Sequence, residues 1–391
     1  MPATLLADVD ALAPELIDHR RDFHMHPELG FEEVRTGDRV AELLAGYGLP
    51  VQRMAKTGVV AVLEGARPGR TLLVRADMDA LPLHEVADPP YRSRHAGKMH
   101  ACGHDAHMAI LLAAARILTA RRHEVAGTVK FVFQPAEEGP GGAKPMIEEG
   151  VMEGPRVDAA LGFHVWNPLP VGTIGVRPGP VMANTDQFDL TIEGQGGHGA
   201  MPHLSVDAIA ITGQVITALQ TIVSRNVSPL ESAVLTLGTI HGGDRHNIIA
   251  RSVTLSGTVR TFSPSLREFM PRRIDELAGG ISRGMGGTCR LDYHRTYPAV
   301  VNDPGMTELV RTAAAKVVGP EHVVEAEPSM GGEDMAYFLQ EVPGCFFFIG
   351  TSNPEAGITH PHHHPEFDLD ERALAIGTKV ILQAILDYLA A

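Results

Sequence analysis

The sequence predicts an α/β protein in which a mostly parallel-sheet domain is interrupted by a smaller α+β domain. Two kinds of strand pattern indicate this division. Between residues 186 and 297 the strands alternate apolar and polar residues, as half-buried strands do. Elsewhere the strands are near-continuous apolar runs, typical of parallel strands buried on both faces. These runs occupy residues 59–63, 72–74, 129–133, 159–163 and 346–349, with helix-like stretches such as 34–47 and 106–119 between them.

The alternating region has a recognisable order of elements. Phe188, Leu190 and Ile192 share one strand face, and helix-like segments at about 206–223 and 266–282 separate the strands. The resulting order, β-α-β-β-α-β, is the ferredoxin-like, split βαβ arrangement. We therefore predict a first domain formed by residues 1–184 and 298–391, and an inserted domain formed by residues 185–297.

Composition excludes several classes of protein. The chain has 391 residues with 33 Lys+Arg against 47 Asp+Glu, a net charge of −14, and no basic stripe, so nucleic acid is not the expected partner. No apolar run reaches the roughly 18 residues of a spanning helix, which predicts no membrane partner. The 3 cysteines are widely spaced and the N-terminus does not resemble a signal peptide. Both features predict a reducing, cytoplasmic location.

Candidate metal-ligating side chains follow the apolar runs. Asp77 and Asp79 follow one run, Glu137 and Glu138 another, and His164 a third. Because parallel strands present their carboxyl ends at one edge of the sheet, these side chains are expected to converge there. Each of them alone is more often a turn former or a helix cap, so their convergence carries the prediction.

Two short patterns add specific chemistry. Cys102 and His104 are two positions apart, so an extended chain points both to one side. A thiolate with an imidazole suits zinc, with Mn, Co or Ni as replacements, although a small buried cysteine beside a helix start gives the same pattern. The adjacent Glu137 and Glu138 diverge, so one can bind a metal while the other acts as a base. A solvated acidic turn is the alternative.

Seven segments resemble, in order, the motifs of the dinuclear metal amidohydrolases related to aminoacylase and glutamate carboxypeptidase. The resemblance is closest to the branch of hippurate hydrolase and indoleacetyl-amino-acid hydrolase. It covers nearly the whole chain, and several motifs in the correct order are more specific than any single one. The segments are Arg75–Pro82, His100–Asp105, Gln134–Gly139, Gly162–His164, Gly196–His203, Gly331–Asp334 and His363–Pro365.

This resemblance implies a metal-binding catalytic domain with one or two divalent ions, zinc or else Mn, Co or Ni. Asp79 corresponds to a strand-end aspartate that orients a ligand, and Glu137 to the general base. Asp77 departs from the wider group, which often has a histidine at this position. The metal ligands implied by the resemblance are Cys102, His104, Glu138, His164 and His363, the last within a run of three histidines.

For the inserted domain, the resemblance implies a lid and dimerisation role. His198 matches the imidazole that polarises the scissile carbonyl, and in relatives this histidine can reach the active site of the partner subunit. Substrate contacts are expected from Asn247, Arg260, Gly331 and Gly332. A strand arginine is more often simply solvated, and the two glycines also fit a plain loop.

The implied activity is hydrolysis of the amide bond of N-acyl amino acids, with acetyl, benzoyl or similar acyl groups, to a carboxylic acid and a free amino acid. The expected partners are this small-molecule substrate and further copies of the chain, in a homodimer or a dimer-based oligomer. Two alternatives stay open. One is a dipeptidase or carboxypeptidase of the same superfamily, and the other is a non-catalytic metal-binding protein.

Overall fold

The structure is a computed structural model that describes residues 3–390. The chain divides into two compact units, each considered by itself below. Unit 1 comprises Met1–Val181, Val301–Glu327 and Asp334–Ala391, and unit 2 comprises Met182–Val300 and Pro328–Glu333. The sequence analysis placed Pro328–Glu333 in the first domain. Here this segment belongs to unit 2, because the backbone N–H of Ala183 donates to the carbonyl oxygens of Ser329 and Gly331 at 3.1 and 3.0 Å.

Unit 1 is built on an eight-stranded sheet in the order β1-β2-β4-β3-β5-β16-β6-β15. Its strands are β1 (Val51–Met54), β2 (Gly58–Glu64), β3 (Arg67–Asp77), β4 (Ala126–Gln134), β5 (Ala159–Pro170), β6 (Ile174–Val176), β15 (Val323–Glu325) and β16 (Gly344–Ser352). Two further short strands, β7 (Gly179–Met182) and β14 (Val300–Asn302), lie where the chain passes between the units.

The centre of this sheet is parallel, as predicted. Strands β4, β3, β5 and β16 run in one direction, and all five apolar runs lie in strands of the sheet. The expectation of parallel pairing is wrong for β2, which is antiparallel to both of its neighbours. Only residues 65–66 connect β2 to β3. A connection this short cannot form the crossover that parallel strands require.

Helices cover the sheet of unit 1. They are α1 (Ala3–Met25), α2 (Val34–Gly46), α3 (His104–Ala120), α4 (Ala143–Glu148), α7 (Pro304–Val318), α8 (Met335–Glu341) and α9 (Arg372–Ala390). Helix α3 is apolar around most of its circumference and almost entirely buried, and it packs against α1, α2 and α9. Such a helix belongs in a core rather than at a surface. Because α3 is buried, its first residue, His104, is held inside unit 1.

Helix α9 is the one helix among residues 3–390 that is long and apolar enough to cross a membrane by length and composition alone. Its sequence contains no apolar run of that length, because Thr378, Lys379 and Gln383 interrupt the apolar residues. Most of this helix is buried inside the protein, where it packs against α3 and α7. This burial is typical of a core helix.

Unit 2 has a four-stranded sheet in the order β10-β12-β8-β13, with every pair antiparallel. Phe188, Leu190 and Ile192 lie on its buried face, packed against both long helices. The chain order is thus β-α-β-β-α-β, the split βαβ arrangement. The elements are β8 (Asp186–Glu193), β9 (Gly197–His198), α5 (Ala208–Asn226), β10 (Ala233–Gly242), β11 (Ile248–Ile249), β12 (Ser252–Thr261), α6 (Pro264–Gly284) and β13 (Thr288–His294).

Candidate metal centre

A cluster of ligand-type side chains lies in unit 1, at the carboxyl ends of the parallel strands. Cys102, His104 and His164 place one ligand atom each within 4.8 Å of one another, and Cys102, Glu138 and His363 form a second such group. His104 also groups with Glu137 and Glu138. The structure therefore brings together all five residues predicted as metal ligands, together with the predicted base. His164 lies within β5 rather than after it, because this strand continues to Pro170.

Two imidazoles of the cluster have their tautomers fixed by backbone carbonyls. His104 Nδ1 donates to the carbonyl oxygen of Asp79 at 2.8 Å, and His164 Nδ1 donates to that of Val165 at 2.5 Å. Since a carbonyl oxygen only accepts, each Nδ1 carries a proton. When these rings are neutral, each Nε2 keeps its lone pair. His164 Nε2 lies 3.3 Å from Cys102 Sγ, and His104 Nε2 is buried without a hydrogen-bond partner.

Local backbone geometry places His104 and Cys102. Gly103 immediately precedes α3 with φ +89°, the left-handed region that favours glycine. A Cβ at this position would also lie 2.3 Å from Cγ2 of Val165. Close approach to β5 therefore requires glycine between the cysteine and the histidine.

The three consecutive histidines face different neighbours. His363 Nε2 lies 3.1 Å from Glu138 Oε1, so the middle histidine joins the cluster. His362 Nε2 bonds to the carbonyl oxygen of Val165 at 2.9 Å, and its ring stacks on Trp166. His364 instead stacks on His360. The backbone at His363 has φ +64°, which turns its side chain away from those of its neighbours.

Asp79 holds the turn that carries both glutamates. Its Oδ1 accepts the backbone N–H of Glu137 at 3.0 Å, and its Oδ2 accepts that of Glu138 at 2.9 Å. Because its own carbonyl oxygen binds His104, Asp79 fixes three members of the cluster at once. The predicted orienting residue thus acts largely through backbone groups.

Two other buried carboxylates hold the same segment. Glu33 accepts the backbone N–H of Ala136 at 2.8 Å and the hydroxyl of Thr57 at 2.7 Å. Asp334 accepts the N–H groups of Gly142 and Ala143 at 3.0 and 2.9 Å. Sequence reasoning did not assign a role to either residue, since neither carries a metal-ligand signal of its own. The segment 134–143 is therefore fixed along its whole length.

Asp77 is enclosed by other side chains. Its Oδ1 binds His107 Nδ1 at 2.5 Å and its Oδ2 accepts from the Arg75 guanidinium at 2.7 Å. Burial disfavours the charged carboxylate, but His104 and Arg75 outweigh this cost and hold the pKa of Asp77 well below its usual range. His107 Nε2 accepts the Val165 N–H at 2.9 Å, so the ring donates through Nδ1. His107 was not predicted as a member of the site. Its spacing of three residues from His104 could have indicated it, because this spacing puts both side chains on one helix face.

Electrostatics favours a cation at the cluster. Burial raises the pKa of the Cys102 thiol, and the carboxylates of Glu138 and Glu137 raise it further. Burial opposes the charged imidazole of His104, but Asp77 and Asp79 raise its pKa to about 10. Several acidic groups thus share one buried site with His104 Nε2, which makes no hydrogen bond and lies 3.5 Å from Asp77 Oδ2. Thiolate, imidazole and carboxylate ligands fit a divalent cation of the zinc type, which would compensate this negative charge.

The remaining predicted residues lie in unit 2. His198 is exposed on β9, which pairs with β11, and the carbonyl oxygen of Asn247 accepts the N–H of Gly199 at 2.9 Å. The structure thus brings His198 and Asn247 close together. Separately, a Cβ on Gly332 would lie 3.3 Å from Nη1 of Arg260, a half-buried residue that lines a cavity of about 390 Å³. Gly331 is adjacent in the chain. Burial lowers the pKa of Arg260.

Comparison with known proteins identifies the family. Residues 73–387 match peptidase family M20/M25/M40. The chain belongs to this family. It is 41% identical to N-acetylcysteine deacetylase of Bacillus subtilis over 94% of this chain and 95% of that protein. It is 40% identical to N-acetyldiaminopimelate deacetylase of Bacillus subtilis, over 94% and 96% of the two chains.

A solved structure is also similar. The YXEP protein of Bacillus subtilis, described as a dinuclear metal binding peptidase of family M20, superposes with a TM-score of 0.85 and 37% identity. The match covers 97% of this chain and 99% of that one. These similarities confirm the predicted family, fold class and enzyme class, a metal-dependent amidohydrolase. Divalent metal ions are supported by both the family and the ligand cluster.

Glu33 predicts a pH dependence of stability. Burial raises the pKa of Glu33 from 4.5 to about 7. Between these two values the folded chain binds more protons than the unfolded chain, so the free energy of unfolding falls as pH rises. We expect Glu33→Gln to remove this contribution, so that the metal-free variant loses less stability than wild type between about pH 5 and pH 8. Urea unfolding at several pH values measures the difference.

A matched control for this experiment is Glu149→Gln. Glu149 also accepts a backbone N–H, that of Ala55 at 2.7 Å, but it lies outside segment 134–143. This variant shows how loss of a carboxylate that binds one backbone N–H changes the curve of stability against pH by itself. If the Glu33→Gln curve is parallel to wild type, Glu33 ionises at its ordinary pKa and the expectation is wrong.

Proposed function

We propose that this protein is a metal-dependent hydrolase that cleaves the amide bond of N-acyl amino acids. The observation that carries this proposal is the convergence of five metal-ligand candidates with one further carboxylate, Glu137. A purely structural zinc site is closed by four protein ligands and needs no additional carboxylate. A ligand cluster with a carboxylate to spare is the arrangement that metal-assisted hydrolysis requires.

The proposed ligands hold one or two divalent ions. We propose zinc, with Mn, Co or Ni as alternatives, because the set combines a thiol with neutral imidazoles. A bound divalent cation supplies Lewis acidity, which lowers the pKa of water and polarises a carbonyl oxygen. The proposed ligands are Cys102, His104, Glu138, His164 and His363, with Asp79 orienting His104 and the backbone of Glu138.

Glu137 is the proposed general base. Glu137 is 6% exposed and its backbone N–H donates to Asp79, so its carboxylate has a restricted position beside the ligands. Glu137 accepts a proton from the attacking water as the oxygen–carbon bond forms. It then delivers this proton to the amine nitrogen as the carbon–nitrogen bond breaks. The products are a carboxylic acid and a free amino acid.

Residues of unit 2 have proposed roles toward the substrate. His198 is exposed, and its Nδ1 accepts the N–H of Ala200 at 3.0 Å. Its Nε2 is therefore the nitrogen with the proton when the ring is neutral, as required to donate to a developing oxyanion. Substrate contacts are proposed for Asn247, Arg260, Gly331 and Gly332.

A peptidase of the same family is the second candidate. The similar YXEP protein is described as a peptidase, and the same centre can hydrolyse a peptide bond. The two functions differ in whether the substrate carries an acyl group or a free amine. We propose the acyl group, a cytoplasmic location and a homodimer in which unit 2 serves as lid and dimerisation domain.

Replacing each of the two glutamates with glutamine, one at a time, separates their roles. We expect Glu137→Gln to retain its metal while losing at least about 100-fold in kcat, as when a general base is removed. We expect Glu138→Gln to lose metal, because its Oε1 lies in the ligand cluster. Metal analysis and kcat of both purified variants provide the measurements. If Glu137→Gln binds no metal while Glu138→Gln binds metal fully, Glu137 is the ligand and Glu138 is the base.

A substrate panel tests the proposed function. N-acetyl, N-benzoyl and indoleacetyl amino acids are assayed against free-amine dipeptides, each with Zn, Mn, Co and Ni. With two divalent cations bound, the charges of Cys102, Glu137 and Glu138 leave about one positive charge. The free acid is therefore expected to exceed its carboxamide about tenfold in kcat/KM. Equal values contradict the charge argument, and hydrolysis of dipeptides alone establishes the peptidase.

Subunit mixing tests whether His198 acts in the partner subunit. Inactive Glu137→Gln and inactive His198→Ala chains are combined under conditions that exchange subunits. If His198 acts across the dimer, a mixed dimer has one site with both residues intact, and activity returns. If His198 acts within its own chain, no site is complete. Exchange demonstrated with labelled subunits but without recovered activity rules out action across the dimer.

A further inference from the structure

Residues 360–366, here called the histidine loop, contain four histidines and one glutamate but no lysine or arginine. Two of the histidines are already accounted for: His363 faces Glu138, and His362 binds the Val165 carbonyl oxygen. The other two, His360 and His364, belong to neither interaction. They lie together with Glu366 in a separate group.

This second group has the composition of a ligand cluster. His360, His364 and Glu366 place one ligand atom each within 4.8 Å of one another. The two imidazole rings are stacked, with centroids 4.2 Å apart and planes only 6° from parallel. Because an imidazole lone pair lies in the plane of its ring, one ring must rotate before both rings bind the same cation. His360 Nε2 lies 3.8 Å from Glu366 Oε2, and both side chains are about half exposed, at 41% and 48%. The group is therefore open to solvent.

Backbone contacts connect the group to β5 and join His364 to Glu366. The carbonyl oxygen of His360 accepts from Asn167 Nδ2 at 2.7 Å, which ties it to β5. The backbone N–H of Glu366 donates to His364 Nδ1 at 3.1 Å. Because an N–H only donates, this nitrogen presents its lone pair on the side of Glu366. A cation would take this lone pair in place of the N–H.

We propose that the histidine loop holds a second, outer cation site, formed by His360, His364 and Glu366 and separate from the centre that contains His363. Two imidazoles and a carboxylate suit a borderline divalent cation such as Zn²⁺, Cu²⁺ or Ni²⁺, whereas Mg²⁺ and Ca²⁺ prefer oxygen ligands. Three protein ligands on an exposed surface leave positions for water. The outer site therefore binds more weakly than the buried centre. This inference does not depend on which amide the enzyme hydrolyses.

Zinc stoichiometry tests the outer site. Full-length protein with a loaded centre is dialysed against micromolar Zn²⁺, and bound zinc per chain is measured. We expect wild type to bind one more zinc ion than the His360→Ala/His364→Ala double variant. We expect Glu366→Gln to weaken this binding by at least about tenfold. Cu²⁺ bound at the same site should show nitrogen hyperfine coupling in electron paramagnetic resonance, and the double variant should lack this signal.

The matched control is His322→Ala. His322 also lies 3.8 Å from a glutamate, Glu321, and is exposed, but that pair has no second imidazole. Its zinc stoichiometry should equal that of wild type. Unchanged activity and thermal unfolding in the double variant would show that the centre and the fold are intact. Equal zinc binding by wild type and the double variant overturns the proposal, as does an equal loss in His322→Ala.

Discussion

The centre depends on buried carboxylates that accept backbone N–H groups of segment 134–143. Glu33, Asp79 and Asp334 bind this segment at Ala136, at Glu137 and Glu138, and at Gly142 and Ala143. A carboxylate removed from water is stable only where donors replace the lost hydration. The backbone donors replace part of this hydration, and the same hydrogen bonds hold the turn that carries both glutamates.

A second layer beneath the cluster follows the same rule. The fully buried Arg75 binds Asp77 and Asp334 at 2.7 and 2.8 Å, so one cation serves two buried anions from distant parts of the chain. Asp77 in turn receives His107, whose other nitrogen binds the backbone of β5. Helix α3 and strands β3 and β5 are therefore connected through side chains as well as through apolar packing. Loss of one partner would leave a buried charge without compensation.

Sequence patterns were sufficient to predict most of the fold, and together with the family resemblance they predicted the members of the cluster. Strand ends, the Cys102–His104 spacing and the paired glutamates are local signals, so they can be recognised in the sequence alone. The sequence did not reveal the roles of residues that act through long-range contacts. Glu33 and Asp334 act on backbone groups about 100 and 190 residues away in the chain, and no pattern of residue types marks such a contact. The direction of β2 was predictable, however, because even residues 64–71, between the two predicted apolar runs, are too few for a crossover.

Asp79 binds the N–H groups of two consecutive glutamates, so a proposed ligand and the proposed base move as one piece. A substitution that displaces Glu137 is therefore expected to displace Glu138 as well. Changes in substrate specificity are not expected to arise in this turn. Within residues 3–390, no buried carboxylate is seen to bind the strand pair β9–β11, and Asn247 beside it is open to solvent. A substitution at this strand pair leaves the contacts of Asp79 with Glu137 and Glu138 in place. Divergence in substrate preference should therefore accumulate in unit 2, while the chemistry of unit 1 is inherited unchanged.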